Sequence, residues 1–191
     1  MSSTNRSNAR AEHIADYYVT PQSHIRNFFA TFLADEDIQR PDKMRTLDPC
    51  AGGDAHHTMS YPAVLEEFGI YPKTIDIRED SIAELHDDYL NVECTDFDLI
   101  ITNPPFNKAQ MIIEKALNDV SVGGYVVMLL RLNYFGSKQR FQFWQNNMPK
   151  YAYVHHTRMA FTDNGKTDSI EYMHCVWQKG YKTDSTILKI I

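Results

Sequence analysis

Two apolar runs constrain the fold of this chain more than any other feature: Phe97-Asp98-Leu99-Ile100-Ile101-Thr102 and Tyr125-Val126-Val127-Met128-Leu129-Leu130. Both are strand-length, and the second does not alternate with polar residues, so it reads as a strand buried on both faces in the middle of a parallel sheet. Parallel neighbours need a crossover connection, and one is present. Ala109, Ile112, Ile113, Ala116, Leu117 and Val120 recur between the runs at helical spacing, and Gly123-Gly124 is expected to end that helix. Upstream, residues 44–47 and 73–77 read as two further strands. A helix is expected from Thr20 as N-cap and Pro21 as first helical residue, burying Ile25, Phe28, Phe29, Phe32 and Leu33.

The remaining elements complete the pattern. The helix after residue 54 is expected to be interrupted at Tyr61-Pro62 and to resume through Leu65 and Phe68, and residues 81–86 read as a short helix. Residues 141–147 look helical. Residues 151–161 and 170–177 look like two strands joined by a polar stretch, 162–169, with Asn164-Gly165 as a strong turn signal. Strands alternating with helices and closing on a hairpin predict an α/β fold: a mostly parallel sheet, helices on both faces, and a C-terminal antiparallel β-hairpin. Residues 1–12 are expected to form a mobile tail, and residues 13–191 a single domain.

Charge is unevenly distributed. Residues 1–120 carry 10 Lys+Arg against 21 Asp+Glu, whereas residues 121–191 carry 9 against 4, so a polyanionic partner would meet the C-terminal third. No run is long enough to span a membrane, and the N-terminus lacks a signal-peptide pattern. Cys50, Cys94 and Cys175 are odd in number and widely spaced, which fits reduced thiols in a cytoplasm. His56-His57 and His155-His156 lack a clear third ligand, so no metal site is expected. Cys50 has no evident base and reads as a small packed residue. Tyr134, Phe135, Phe141, Phe143 and Trp144 read as core more than as a base-stacking platform.

Chemistry is expected where strands end, because ligands of open α/β sheets bind beyond the carboxyl ends of strands. Asn103-Pro104-Pro105-Phe106 follows the first apolar run directly. Two prolines make a stiff loop with two fewer backbone donors, leaving its carbonyls to accept from something else. A planar group bearing an NH2 could donate one hydrogen to the Asn103 amide oxygen and the other to the Pro104 carbonyl, while stacking on Phe106. That describes the amino edge of a nucleobase. Asp48-Pro49-Cys50-Ala51-Gly52-Gly53-Asp54 follows the first strand, and its small residues permit close approach of a ligand to the backbone. Asp76 ends the next strand, where a dinucleotide fold puts its ribose-binding acid; a solvated strand end is the alternative, with Glu79 or Asp80 as the substitute acid.

In this order, these residues resemble the S-adenosylmethionine-dependent amino-methyltransferases, above all the N6-adenine DNA methyltransferases of bacteria and their phages. The resemblance covers residues 17–177. It implies a Rossmann-like methyltransferase fold, S-adenosylmethionine as cofactor, DNA as partner, and a location in the cytoplasm of a bacterium or phage-infected cell. It also implies that Asn103, Pro104, Pro105 and Phe106 form the catalytic loop. Asp48, Pro49, Cys50, Ala51 and Gly52 would form the cofactor loop, Asp76 would hold the ribose, and Asp88 with Tyr89 the cofactor adenine. Tyr18, Thr20 and Pro21 would touch its methionine end. Arg158 and Lys166, with Phe161-Thr162, Gly165 and Glu171-Tyr172, are similar to the C-terminal pattern of small phage enzymes and would contact DNA. Two departures stand out. Gly52-Gly53 are adjacent where the family has Gly-x-Gly, which puts Asp54 in a position where it would have to adopt a left-handed turn, and no separate target-recognition domain is expected within residues 13–191.

The activity so implied is methyl transfer to the exocyclic N6 amine of adenine in DNA. Asn103 and the Pro104 carbonyl would aim the amine lone pair, and Phe106 would stack on an extruded base. The same tetrapeptide also serves enzymes that methylate RNA amines or a protein glutamine. A non-catalytic binding subunit with the same fold is the reading from another class, and the altered cofactor loop favours it.

Overall fold

In the computed structural model, which describes residues 18–161, 167 and 169–191, the two apolar runs lie side by side in one eight-stranded sheet. The strands are β1 (Thr46–Asp48), β2 (Lys73–Asp76), β3 (Leu85–His86), β4 (Phe97–Thr102), β5 (Val120–Arg131), β6 (Tyr151–Val154), β7 (Tyr172–Gln178) and β8 (Ile187–Ile190). Their order is β3-β2-β1-β4-β5-β7-β6-β8. The first five are mutually parallel, with Thr102 of β4 opposite Met128 of β5. β7 runs antiparallel to both β5 and β6, as the hairpin reading expected, and β8 adds a parallel edge strand on β6.

The lack of alternation in β4 and β5 has its reason in the packing. Leu99, Ile101 and Val127 face helices α1 (Gln22–Asp35) and α2 (Ser60–Glu66), in one core with Phe28, Phe29, Val64 and Leu65. Ile100, Val126 and Met128 face helices α3 (Ala109–Asp119) and α4 (Phe141–Asn146), with Ile112, Ile113, Phe143 and Trp144. Alternate residues of one strand thus enter opposite cores, so neither face can be polar.

Several local expectations are corrected. Thr20 does not cap α1; Pro21 takes the N-cap position in extended geometry and no side chain caps the helix. The Thr20 hydroxyl instead accepts from the Asn103 amide at 3.1 Å. Tyr61-Pro62 does not interrupt α2 but sits in its first turn, where proline forfeits no intrahelical bond. Residues 81–86 are not helical. The Ser81 hydroxyl donates to the Gly52 carbonyl and accepts from the Ala83 amide, drawing the backbone away from a helix, and β3 follows. Gly123-Gly124 does not end the helix; it lies inside β5, where a Cβ on Gly124 would come within 2.9 Å of the Asp98 carbonyl. β6 and β7 are shorter than expected, and β8 was not anticipated. The expected tail, Tyr17 and most of the 162–169 connection, Lys166 included, lie outside the described residues.

Candidate active site at the carboxyl edge of the parallel strands

β1 has β2 on one side and β4 on the other, so the chain order reverses between β1 and β4. Crossovers diverge at such a point and leave a crevice at the strands' carboxyl ends. A cavity of about 330 Å³ lies here. Its lining comes from the loops after the first four strands: Pro49, Cys50 and Ala51 after β1, Asp76, Ile77 and Arg78 after β2, Asp87, Asp88 and Tyr89 after β3, and Asn103, Pro105, Asn107 and Lys108 after β4. Tyr18 and Thr20 close it from the segment before α1, with Ser60 and Tyr61 of α2 and Ile112 of α3 completing the wall.

The glycine loop is held by the carboxylate expected to meet a ribose. Gly52 and Gly53 have φ of 67° and 73°, a left-handed pair that other residues adopt only with strain. The Gly52 amide donates to Asp76 Oδ2 at 2.7 Å, and the Gly53 carbonyl accepts from Arg78 Nη2 at 2.7 Å. Asp76 Oδ1 accepts from the Arg78 amide at 2.9 Å. Asp76 is therefore a buried member of the loop's own framework, not a solvated strand end. The sequence expectation that Asp54 would adopt the left-handed turn is corrected, because Gly53 takes it instead. Asp54 turns its carboxylate onto the His56 and His57 amides, at 2.7 and 2.9 Å, and onto the His57 ring at 3.0 Å. Burial pushes Asp54 up, but these bonds outweigh it and hold the carboxyl below its ordinary value.

Asp48 is fully buried. Burial pushes its carboxyl up to about 7, against a pull from the Thr102 hydroxyl and the Cys50 amide. Its Oδ1 accepts from that amide at 3.3 Å, while Oδ2 and the Thr102 hydroxyl have no partner of hydrogen-bonding geometry. The same burial, reinforced by Asp48, raises the Cys50 thiol well above its ordinary value and so disfavours the thiolate. Asp88 receives Lys108 Nζ at 2.9 Å and the Leu90 amide at 3.1 Å, which hold its carboxyl low despite burial. Tyr89 presents its ring while its hydroxyl donates to Asp119 at 2.7 Å.

The Asn103 side chain is the pivotal feature. Its Nδ2 donates to Thr20, which leaves Oδ1 buried with no hydrogen-bond partner. A buried acceptor left unmet costs about 1–3 kcal/mol, so this amide oxygen, on a residue that lines the cavity, is open to a donor. The Pro105 carbonyl takes the Lys108 amide at 3.0 Å, whereas the Pro104 carbonyl accepts nothing among the described residues. Phe106 stands beside the cavity. The Arg131 guanidinium lies 4.3 Å from its ring centroid, and the rings of Tyr18 and Tyr172 flank it at 6.2 and 6.1 Å.

The fold thus gathers almost all the expected site residues at one edge. Pro21, Asp48, Gly52, Pro104 and Phe106 adjoin the cavity without lining it. Arg158 does not line the cavity; it is exposed and paired with Glu171 at 3.1 Å. Arg78, Lys108, Ser60 and Tyr61 were missed by sequence reasoning. Arg78 and Lys108 had a readable signal, each standing two residues beyond a flagged residue. Tyr61 had none, since only the helix packing turns it inward. Among the described residues no cluster could hold a metal ion and no helix is long and apolar enough to cross a membrane.

No protein-family model and no curated protein sequence matches the chain. Solved structures do. A Listeria monocytogenes protein assigned to the class I S-adenosylmethionine-dependent methyltransferases superposes with a TM-score of 0.65 at 17% identity, over 94% of this chain and 67% of its own. A Pyrococcus horikoshii protein assigned as an RNA methyltransferase gives 0.66 at 12% identity, over 86% and 88%. The M protein of the type I restriction enzyme EcoKI gives 0.57 at 12%, over 94% of this chain and 49% of its own. The fold is that of the class I methyltransferases.

Proposed function

We propose that this chain transfers a methyl group from S-adenosylmethionine to the N6 amine of adenine in DNA. The observation that carries the reading is the buried, unpartnered Asn103 Oδ1 of a cavity-lining residue, followed by the Pro104 carbonyl, which accepts nothing among the described residues. Two adjacent unmet acceptors suit an NH2 group with two hydrogens to give.

The cavity's residues fit the cofactor. Its volume falls within the range of small-molecule sites. Asp76, Asp87 and Asp88 outnumber Arg78 and Lys108 in its lining, with Asp48 buried behind, which suits a cationic ligand. Gly53 leaves no room for a Cβ between Ile82 and Met59, so the loop is packed firmly behind the residues that line the cavity. Asp76 would take the ribose hydroxyls on its remaining lone pairs, and Asp88 with the Tyr89 ring would hold the adenine. Bound S-adenosylmethionine supplies an electrophilic methyl group on its sulfonium.

The protein's part is orientation. Thr20 pins the nitrogen end of the Asn103 amide, which leaves the oxygen end for the acceptor. Asn103 Oδ1 and the Pro104 carbonyl would each accept one amine hydrogen, which favours a pyramidal nitrogen with its lone pair directed at the methyl. Orientation of this kind contributes up to about 7–11 kcal/mol in favourable cases. Phe106 offers the extruded base the ring face away from Arg131. The amine proton leaves to water after transfer, and no general base is assigned.

The test is incubation with methyl-labelled cofactor and parallel DNA, RNA and protein acceptors, followed by nucleoside and amino-acid analysis. Label in N6-methyladenine from DNA is the expected result. Label confined to RNA or to glutamine would overturn the acceptor assignment, and failure to bind the cofactor by calorimetry would overturn the enzyme.

A further inference from the structure

The five aromatic residues that follow β5 do not share one fate. Tyr134, Phe143 and Trp144 are buried and Phe135 is half-buried among them, but Phe141 is 62% exposed. The segment that presents it is held firmly. Arg140 donates from Nε to the Tyr134 carbonyl at 2.9 Å and lies 3.9 Å from the Tyr134 ring centroid. The Arg140 amide donates to the Ser137 carbonyl at 3.2 Å, and the Gly136 amide to Asn133 at 3.1 Å. Lys138, in the same turn, makes no ion pair among the described residues.

The chemistry of this surface has one sign. From residue 121 to residue 162 the sequence contains five Arg and Lys and no Asp or Glu, in a chain with 25 acidic residues. The position is equally telling. β5 runs parallel to β4, so the segment leaves the sheet at the same edge as Asn103. Arg131, the last residue of β5, lies over Phe106, and Tyr134 approaches the backbone at Gln110, in the first turn of the helix that follows the proline loop.

We propose that residues 131–141 form the DNA-docking rim of the site, with Lys138 against a phosphate and Phe141 against a base face. This rests on the reading that the acceptor is adenine in DNA. When the target base leaves the stack, its neighbours expose faces on which an aromatic ring can pack. A lysine beside that ring neutralises backbone charge without reading sequence. The basic charge of this third of the chain, set against the acidic remainder, orients the molecule so that this edge meets the polyanion.

The experiment measures fluorescence anisotropy of a labelled mixed-sequence DNA duplex against salt, for wild type and for Phe141→Ala, Lys138→Ala and Tyr71→Ala. Tyr71 is a more exposed aromatic, 76% exposed, but it lies before β2 at the opposite edge of the sheet. We expect Phe141→Ala to weaken DNA binding on the order of 10-fold, since each base–aromatic stack contributes substantially to affinity. Lys138→Ala should lower the salt slope by about one unit. Tyr71→Ala should bind as wild type, and cofactor affinity should be unchanged in all three. Wild-type DNA binding with no change in Phe141→Ala and Lys138→Ala would overturn the rim and leave the acceptor assignment standing. Absence of DNA binding by wild type, with label going to RNA or protein, would overturn both.

Discussion

In the proposed reaction Asn103 and Asp76 have different roles, which single substitutions would separate. Asn103 makes one bond to Thr20, which leaves its amide oxygen buried without a partner. Asn103→Ala removes the acceptor and leaves the glycine loop intact, so cofactor affinity by calorimetry should stay near wild type. Single-turnover methylation should fall on the order of 100- to 1,000-fold, the usual loss when an interaction aimed at the developing charge is removed. An unchanged rate would remove Asn103 from the chemistry. Asp76→Ala should act in the opposite way. It deprives the Gly52 amide and Arg78 of their acceptor, and a buried donor left unpaired costs about 1–3 kcal/mol. Cofactor binding should weaken and the urea midpoint should fall together. Affinity at the wild-type level would show that Asp76 holds the loop alone.

Among the elements, the loop after β1 is the most demanding. Gly53 has φ of 73°, and a Cβ there would lie 2.7 Å from Ile82 and from Met59. Gly53→Ala combines a left-handed conformation, costing roughly 1–2 kcal/mol, with a clash that must move a neighbouring side chain. The expected outcome is a lower denaturation midpoint and weaker cofactor binding, with the far-UV spectrum retained. A variant that binds the cofactor as tightly as wild type would mean that the loop does not approach the ligand. The start of α1 illustrates the same dependence on neighbours. Thr20 is a good N-cap by type, yet its hydroxyl is taken by a residue 83 positions away.

Across the whole molecule, a buried polar chain runs from the cavity wall along the α1 face of the sheet to the end of β6. The Tyr61 hydroxyl meets His174 Nε2 at 2.8 Å, and His174 Nδ1 meets His155 Nε2 at 2.8 Å. Burial, with the charges of neighbouring histidines, pushes His155 down to about 3 and His174 well below its ordinary value. Both are therefore neutral in the fold, whereas in the unfolded chain they take up protons near pH 6.5. Their contribution is complete above pH 6.5 and is lost as pH falls towards 3. For His155 the loss between pH 6.5 and pH 5 is about 2 kcal/mol. Asp48 acts with the opposite sign, because a carboxyl raised to about 7 is protonated in the fold first and gains stability over the same descent. The comparison must therefore be differential. In urea titrations, the stability gap between wild type and His155→Gln should narrow by about 2 kcal/mol from pH 6.5 to pH 5. A gap independent of pH would show that His155 is not held neutral.

The sequence by itself determined the architecture and the edge where the candidate site lies. Unalternated runs such as 125–130 can be satisfied only between two layers of helices, and loops rich in glycine and proline mark the ends of strands; both are local properties of the chain. Asn103 and the glycine loop were legible for that reason. Only the tertiary structure decided where each polar group found its partner. Thr20 exchanged a helix cap for Asn103, Ser81 gave its hydroxyl to Gly52 and dissolved an expected helix, Asp76 became a strut of the glycine loop, and Phe141 alone of its aromatic neighbours was left outside. Hydrogen bonds and burial are settled between residues far apart in sequence, and periodicity along the chain carries no record of which groups the fold will bring together.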